Sequence, residues 1–448
     1  MNQPQTEVGQ CLDVQAFINT QPLSRYQWRV VILCFLIVFL DGLDTAAMGF
    51  IAPALSQDWG IDRASLGPVM SAALIGMVFG ALGSGPLADR FGRKLVLVLA
   101  VLLFGGFSLA SAFSNNVEQL LVLRFLTGLG LGAGMPNATT LLSEYTPERL
   151  KSLLVTSMFC GFNLGMAGGG FISAKLIPAF GWHSLLLLGG VLPLLLALVL
   201  LVWLPESARF LVVRGRGVEP VRKVLAPIAP ALVAQAGSFS VPEQKSVKAR
   251  NVLAVIFSPG YGAGTLLLWT TYFMGLVIVY LLTSWLPTLM RESGASLEQA
   301  AFIGALFQFG GVLSSVAVGW AMDRFNPHKV IATFYLLAGV FAYCVGQSLG
   351  NITLLATLVL VAGMCVNGAQ SAMPSLGARY YPTQGRATGV SWMLGIGRFG
   401  AIVGAWSGAT LLGLGWSFEQ VLTALLVPAV LATAGVLVKG WVSHADAT

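Results

Sequence analysis

Two aspartates and two arginines sit among residues that exclude water. Asp41 and Asp44 fall in FLDGLDTAAMGF (39–50), which continues an apolar run beginning RVVILCFLIVFL. Arg124 falls in LVLRFLTGLG (121–130) and Arg398 in MLGIGRFGAIVG (393–404). A charged side chain at the centre of a bilayer costs about 2.5–3.5 kcal/mol even on insertion scales. Such residues therefore face a cavity or a partner, and they usually mark an ion or substrate path. Two carboxylates within one helical turn do not easily both ionise, so one of this pair is expected to hold a proton. Arg398 has no acid near it in sequence and needs an anion, which a carboxylate can supply in bidentate form. Proton exchange beside carboxylate binding is the chemistry these four side chains support.

The elements that must position them are membrane helices. Of 448 residues, 56% are hydrophobic and 10% charged, and the mean hydropathy is +0.80; a soluble protein carries about 25% charged residues. Twelve apolar segments can be drawn, at 29–52, 65–88, 95–114, 117–142, 151–176, 183–204, 260–287, 297–322, 329–349, 351–374, 384–411 and 417–440. Each is of a length to span a bilayer, so the expected fold is all-α and integral to the membrane, two six-helix bundles side by side. Residues 1–28 form a tail, 29–204 the first bundle, 205–259 a central loop, 260–440 the second bundle and 441–448 a second tail. With the N-terminus inside, 20 Lys and Arg fall on the inner side and three on the outer, Arg63, Lys175 and Arg291. That bias places both termini in the cytoplasm. It also explains the net charge of +7 without any nucleic-acid partner. The five cysteines form no CxxC pair and read as buried thiols.

Depth assigns partners. Asp41 lies about 11 residues into the first span, roughly 16 Å deep and near the midplane. Asp44 and Arg124 each lie roughly 10–12 Å from the outer surface. These two are expected to pair, as a switch that protonation opens or as a permanent bridge between helices. Arg398 lies near the midplane of the eleventh span, where Asp41 is the rival to a substrate carboxylate. GIGRFG (395–400) matches a dinucleotide-binding pattern by letter, but no strand precedes it and the segment is an apolar helix. Its glycines continue at Gly404 and Gly408 as a packing seam, matched by Ala72, Gly76, Gly80 and Ser84 in the second span.

The halves are related to each other. GPLADRFGRK (85–94) returns as GWAMDRFNPHK (319–329), with Gly85, Asp89 and Arg90 at a constant offset of 234 from Gly319, Asp323 and Arg324. GMPNATTLLSEYTP (134–147) is echoed by AMPSLGARYYP (372–382). Parallel six-helix repeats with substrate between them describe major facilitator transporters.

The motifs carry the resemblance further. GPLADRFGRK resembles the signature between spans 2 and 3 of the major facilitator superfamily, and Arg124 with Gly128 resembles its span 4 arginine motif. LPESARFLVVRGR (204–216) resembles the sequence after span 6 of sugar and organic-acid carriers. The DGLD of span 1 is similar to the signature of the aromatic acid:proton symporters. Span 5 has Met166 in GFNLGMAGGG, where antiporters tend to have proline, which leans toward symport. The resemblance implies proton-driven import of hydroxylated aromatic carboxylates, such as 4-hydroxybenzoate and protocatechuate, across a bacterial inner membrane by alternating access. It implies a monomer in the lipid bilayer, with no cofactor and no enzymatic activity. Import of another monocarboxylate or a sugar, and an added sensory role, are the alternatives. No HExxH, GxSxG or Walker pattern supports an enzyme, and 205–259 reads as too short and polar for a folded signalling module.

In the same resemblance Asp89 and Asp323 brace the cytoplasmic side, with plain loop capping as the alternative. Gly85, Arg90, Arg93, Glu144 (opposite Arg149), Arg324, Arg379 and Arg386 complete the inner charge cluster. His328 stands in place of an arginine and reads as a solvated loop histidine that titrates near neutrality. Walls for an aromatic ring are available from Phe159, Tyr272, Tyr280 and Trp392. Polar groups for a ring hydroxyl are available from Asn137, Asn163, Gln308, Asn367 and Gln370.

Overall fold

The computed structural model describes residues 10–241, 257, 261–348, 350–381 and 386–445. Ser24 starts the first long helix by a capping box, its hydroxyl accepting from Gln27 N–H while the Gln27 side chain accepts from Ser24 N–H. Ahead of it lie a strand β1 (Gln10–Asp13) and a short helix α1 (Val14–Thr20). The first six long helices are α2 (Arg25–Trp59), α3 (Gly67–Phe91), α4 (Arg93–Ser111), α5 (Val117–Tyr145), α6 (Glu148–Phe180) and α7 (His183–Trp203). Short helices α8 (Ala208–Val213), α9 (Val218–Leu225) and α10 (Pro230–Gln235) and strand β2 (Ala236–Ser240) follow. The second set is α11 (Gly262–Glu292), α12 (Leu297–Arg324), α13 (Pro327–Gln347), α14 (Ile352–Tyr380), α15 (Arg386–Gly413), and α16 (Phe418–Ala424) continued by α17 (Leu426–Ala445).

Among the described residues, eleven helices are long and apolar enough to cross a membrane, Phe418–Trp441 counting as one. Arg386–Gly413 makes the twelfth expected span; its 28 residues are long enough, while its glycines and Arg398 dilute its hydropathy. The fold is all-α and multi-pass. Helices α2–α7 pack mainly on one another, as do α11–α17.

The small-residue seams lie where backbones meet. A Cβ on Gly76 or Gly80 of α3 would strike the carbonyls of Phe125 and Leu129 in α5. One on Gly400 or Gly404 of α15 would strike those of Phe273 and Val277 in α11. At these four positions a side chain would meet backbone, which is why glycine fills them.

Among the described residues the halves are joined chiefly by α2 with α11, α3 with α15 and α6 with α12. Their close contacts cluster at the end away from the N-terminal tail. There Gly49 abuts the Thr283 carbonyl, Gly67 the Ala409 methyl and Gly170 the Ala305 methyl. Phe171 packs against Phe302 and Phe309, with ring centroids 5.5 and 6.2 Å away, and Lys175 pairs with Glu298. At the tail end, Gly85 and Gly319 have nothing within 4 Å of where a Cβ would stand.

The central loop corrects the sequence reading. Part of it folds, because the tail supplies the missing half of a core. β1 pairs in parallel with β2, Cys11 opposite Ser238, Leu12 opposite Phe239 and Asp13 opposite Ser240. Beneath them Val14, Phe17 and Ile18 bury against Ala208, Val221, Leu225 and Val233. The small layer is tied to the long helices by Arg149, which donates to the carbonyls of Asn19 and Gln21 at 3.0 and 2.9 Å. Arg214 donates to the Asp89 carbonyl, and Tyr145 Oη to that of Glu206 at 2.6 Å.

Candidate functional site

Asp44 and Arg124 form a closed unit. Arg124 Nη1 donates to Asp44 Oδ2 at 3.1 Å and Oδ1 at 3.4 Å, and both side chains are shut off from solvent. Two serines of α4 complete the unit. Ser108 Oγ donates to Asp44 Oδ1, and Ser111 Oγ accepts from Arg124 Nε and Nη2 at 3.3 and 3.1 Å. A buried ion pair is sustained only when its remaining hydrogen-bonding capacity is met, and the serines do much of that. Neither was singled out in the sequence, although SLAS (108–111) places two hydroxyls on one face of an otherwise apolar span.

Asp41, one turn earlier on α2, is in a different position. It is 1% exposed, its Oδ1 accepts only from Thr45 Oγ1 at 3.3 Å, and Oδ2 accepts no hydrogen bond among the described residues. Burying a carboxylate this bare is costly unless a partner reaches it. Arg398 is close enough to act on Asp41 electrostatically, and the Tyr280 phenol lies within reach of both. Yet the hydrogen bond Arg398 makes is to the Met77 carbonyl of α3, at 2.9 Å across the two halves. A neutral carbonyl does not neutralise the guanidinium, and among the described residues no carboxylate forms an ion pair with it. Of the two partners the sequence left open, Asp41 makes no ion pair with Arg398 among the described residues, and the guanidinium is held by backbone. Met77, Tyr280 and Ser284 line a small cavity together with Asp44, Thr45 and Arg124.

The other ring-binding candidates divide by how their polar atoms are engaged. Gln370 accepts from Tyr335 Oη at 2.6 Å and donates to the Tyr272 carbonyl at 3.3 Å, so its amide braces the α11–α13–α14 junction. Asn367 donates to the Phe307 carbonyl at 3.3 Å, and Asn137 to Ala133 in its own helix at 2.8 Å. Gln308 donates to Thr283 Oγ1 at 2.7 Å. The Tyr272 ring packs on Gly397, next to Arg398 in α15, and Tyr280 lines the cavity with Met77. Trp392 stacks on Trp269, centroids 5.9 Å apart at 11°. Asn163 is half-buried on α6, and Phe159 is 41% exposed on the same helix.

At the tail end Asp89 accepts from Arg93 Nη2 at 2.9 Å while its side chain stays 72% exposed. Glu144 faces Arg93, Nε to Oε1 3.7 Å, and not Arg149, whose guanidinium is spent on the N-terminal tail. Glu206, which the sequence reading used only as a family mark, accepts at Oε1 from the backbone N–H groups of Arg93, Lys94 and Ser207. It thus caps the start of α4, where a carboxylate is favoured. In the second half His328 Nε2 lies 2.8 Å from Lys439 Nζ, which itself sits over the Tyr380 ring, so His328 is engaged by α17 and not merely solvated. Arg90 stacks over Phe91 and Arg324 over Trp320, and Arg379 is exposed. The side chains of Asp323 and Arg386 lie outside the described ones.

The profile of the Major Facilitator Superfamily matches residues 34–293 and 268–446. The chain belongs to this superfamily. It is therefore a multi-pass membrane transporter, and the repeat and the helix pairing agree with that fold. The 4-hydroxybenzoate transporter PcaK of Pseudomonas putida is 87% identical over 448 residues, all of both chains. Its namesake in Pseudomonas aeruginosa is 85% identical, again over all of both chains. Among solved structures, a bacterial homologue of the human lysosomal transporter Spinster, inward-facing and unoccupied, superposes with a TM-score of 0.72. That match covers 95% of this chain and 99% of the other at 16% identity, a likeness of superfamily fold.

Proposed function

We propose that this transporter imports hydroxylated aromatic carboxylates, 4-hydroxybenzoate and its relatives, together with protons. The observation that carries the reading is the contrast between the two acids of α2. Asp44 is matched by a buried cation and by Ser108, whereas among the described residues Asp41 is met only by Thr45 and Arg398 only by a carbonyl. In the proposed cycle Arg398 receives the substrate carboxylate and Asp41 takes the proton. With both charges met the centre is neutral, and the halves can rock around it. Tyr272 and Tyr280 flank the ring, and Asp44–Arg124 stays closed as the fixed frame. The identity to the 4-hydroxybenzoate transporters supports the substrate class.

We further propose that the tail, the folded loop and the C-terminus lie in the cytoplasm of a bacterium, the protein acting as a monomer in the inner membrane. The excess of Lys and Arg on that side supports this. The contacts between halves are then extracellular, and the structure is the inward-open state, with Asp89, Glu144 and their arginines on the open side. Uptake of radiolabelled 4-hydroxybenzoate into proteoliposomes, with and without an imposed inward proton gradient, tests the whole. Accumulation only with the gradient is expected. Gradient-independent accumulation would exclude proton coupling, and no uptake of any aromatic acid would exclude the substrate class.

A further inference from the structure

We propose that Gln308 is the residue that distinguishes a hydroxylated ring from a plain one: its Oε1 accepts the hydrogen bond that a para-hydroxyl donates. The inference rests on the proposed transport of aromatic carboxylates and adds to it the group that reads the far end of the ring.

The hydrogen-bond pattern fixes which end of the Gln308 amide is which. Thr283 Oγ1 donates its proton to the Val279 carbonyl at 2.7 Å. Toward Gln308 it can therefore only accept, so the atom 2.7 Å away is the amide nitrogen. Oε1 points elsewhere. Gln308 is 1% exposed, and among the described residues Oε1 accepts no hydrogen bond. An acceptor deprived of water and given no donor in return is a cost the fold retains for a reason. A bound donor removes it.

The placement fits. One turn before Gln308, Gly304 packs against Phe50 of α2 and Pro287 of α11, at 2.8 and 3.2 Å from its would-be Cβ. Three residues after it, Gly311 packs against Asn367 of α14. Gln308 thus occupies the face of α12 turned toward α2, α11 and α14. On α2, Gly49 abuts the Thr283 carbonyl, and Thr45 and Asp41 follow one and two turns along the same face. Ser284, next to Thr283, lines the cavity shared with Asp44, Thr45 and Tyr280. The acceptor and Asp41 therefore border the same seam at different depths, and Arg398 of α15 bonds the cavity-lining Met77. A carboxylate would be repelled by the Gln308 oxygen and drawn to Arg398, which orients the acid: carboxylate toward α15, hydroxyl toward α12.

The chemistry needed is a donor, not a particular atom. In wild-type protein reconstituted into vesicles, uptake of labelled 4-hydroxybenzoate should be competed well by 4-hydroxybenzoate and 4-aminobenzoate, which donate. Competition by 4-fluorobenzoate and benzoate, which do not, should be about 10-fold weaker or more. In Gln308→Leu the two donors should lose about 10-fold while the other two hold or gain, so the four converge. Gln308→Met, unbranched and of similar length, repeats the test if the leucine variant does not fold. Equal losses for all four would make Gln308 a structural brace and overturn the inference, as would unchanged selectivity. A wild-type protein that takes up no aromatic acid would instead remove the functional reading, and this inference with it.

Discussion

Arg124 reaches both carboxylate oxygens of Asp44, at 3.1 and 3.4 Å, in a place neither side chain shares with solvent. Breaking a buried pair from one side strands a charge and costs about 3–5 kcal/mol. Asp44→Asn should therefore lower the thermal midpoint of the purified protein and abolish transport, and Arg124→Gln should do the same. The double variant strands nothing. It should recover most of the midpoint without recovering transport, if the pair is a frame that the cycle needs. A double variant as unstable as the singles would show that the serines, and not the ion pair, hold this junction.

Asp41 should behave otherwise. Its amide analogue strands no counter-charge, so Asp41→Asn should express and unfold much as wild type does. It cannot release a proton, so it should fail to accumulate 4-hydroxybenzoate under a proton gradient while still exchanging labelled for unlabelled substrate. Proton-driven accumulation by Asp41→Asn at the wild-type level would remove Asp41 from the proton path.

For Arg398 the expectation concerns geometry more than charge. Lysine keeps the cation but not the planar fork, and it also gives up the bond to the Met77 carbonyl that holds the group across the halves. Arg398→Lys should weaken the half-saturating concentration for 4-hydroxybenzoate by about 10-fold or more, since hydrogen bonds to charged groups are worth about 1.5–3 kcal/mol. The aromatic amide, lacking the charge, should compete poorly in wild type and no worse in the variant. An amide that competes as well as the acid in wild type would show that Arg398 does not read a carboxylate.

What the sequence made legible is what depends on composition and period. Long apolar runs, the Lys and Arg bias and the returning G-x-x-x-D-R-F give twelve spans in two related sets, because a bilayer imposes length and hydropathy on every spanning helix. Depth alone matched Asp44 to Arg124. It could not tell which of Asp44 and Asp41, one turn apart, carries the proton, since the difference in their surroundings is made by Ser108 and Ser111 on another helix. A serine within an apolar span usually bonds its own backbone, as Ser173 does with Gly170, so these two carried little signal. Nor could it foresee β1 with β2. Each strand has four or five residues, and the partners are separated by the whole first bundle. A parallel pairing so distant leaves no local pattern. The sequence left Arg398 between a substrate carboxylate and Asp41, and its bond to the Met77 carbonyl is one that no sequence announces.

Asp89 offers a prediction about the tail end. Its side chain is 72% exposed, so Asp89→Asn should leave expression nearly intact. The change releases Arg93, which also faces Glu144 at 3.7 Å and whose backbone N–H is held by Glu206. If this cluster closes the cytoplasmic side in the other state, the variant should transport poorly and show raised cysteine accessibility from the cytoplasm. Asp323→Asn should be milder, because its loop ends in NPHK where the first ends in GRK. Lost transport with unchanged accessibility would mean that Asp89 acts other than as a gate.

The opposite end tests whether closure there is what this state requires. Gly170 of α6 meets Ala305 of α12 so closely that an added Cβ would stand 2.6 Å from the Ala305 methyl and 2.6 Å from the Phe50 ring edge. The ring end can swing aside, but the methyl cannot. Gly170→Ala should therefore hold the halves apart on this side and favour the outward-open state. A bias of about 1.4 kcal/mol already changes the ratio of states tenfold. In the proposed orientation, a cysteine at Phe171 or Phe302 should react faster with an impermeant reagent from outside, and transport should slow while binding from outside persists. Ala305→Gly, added to Gly170→Ala, removes the methyl and leaves only the Cα of residue 305, 2.9 Å from the added Cβ, to give way on that helix. The pair should return both reactivity and transport toward wild type. A double variant no better than Gly170→Ala alone would show that the contact between α6 and α12 does not set the balance between the two states.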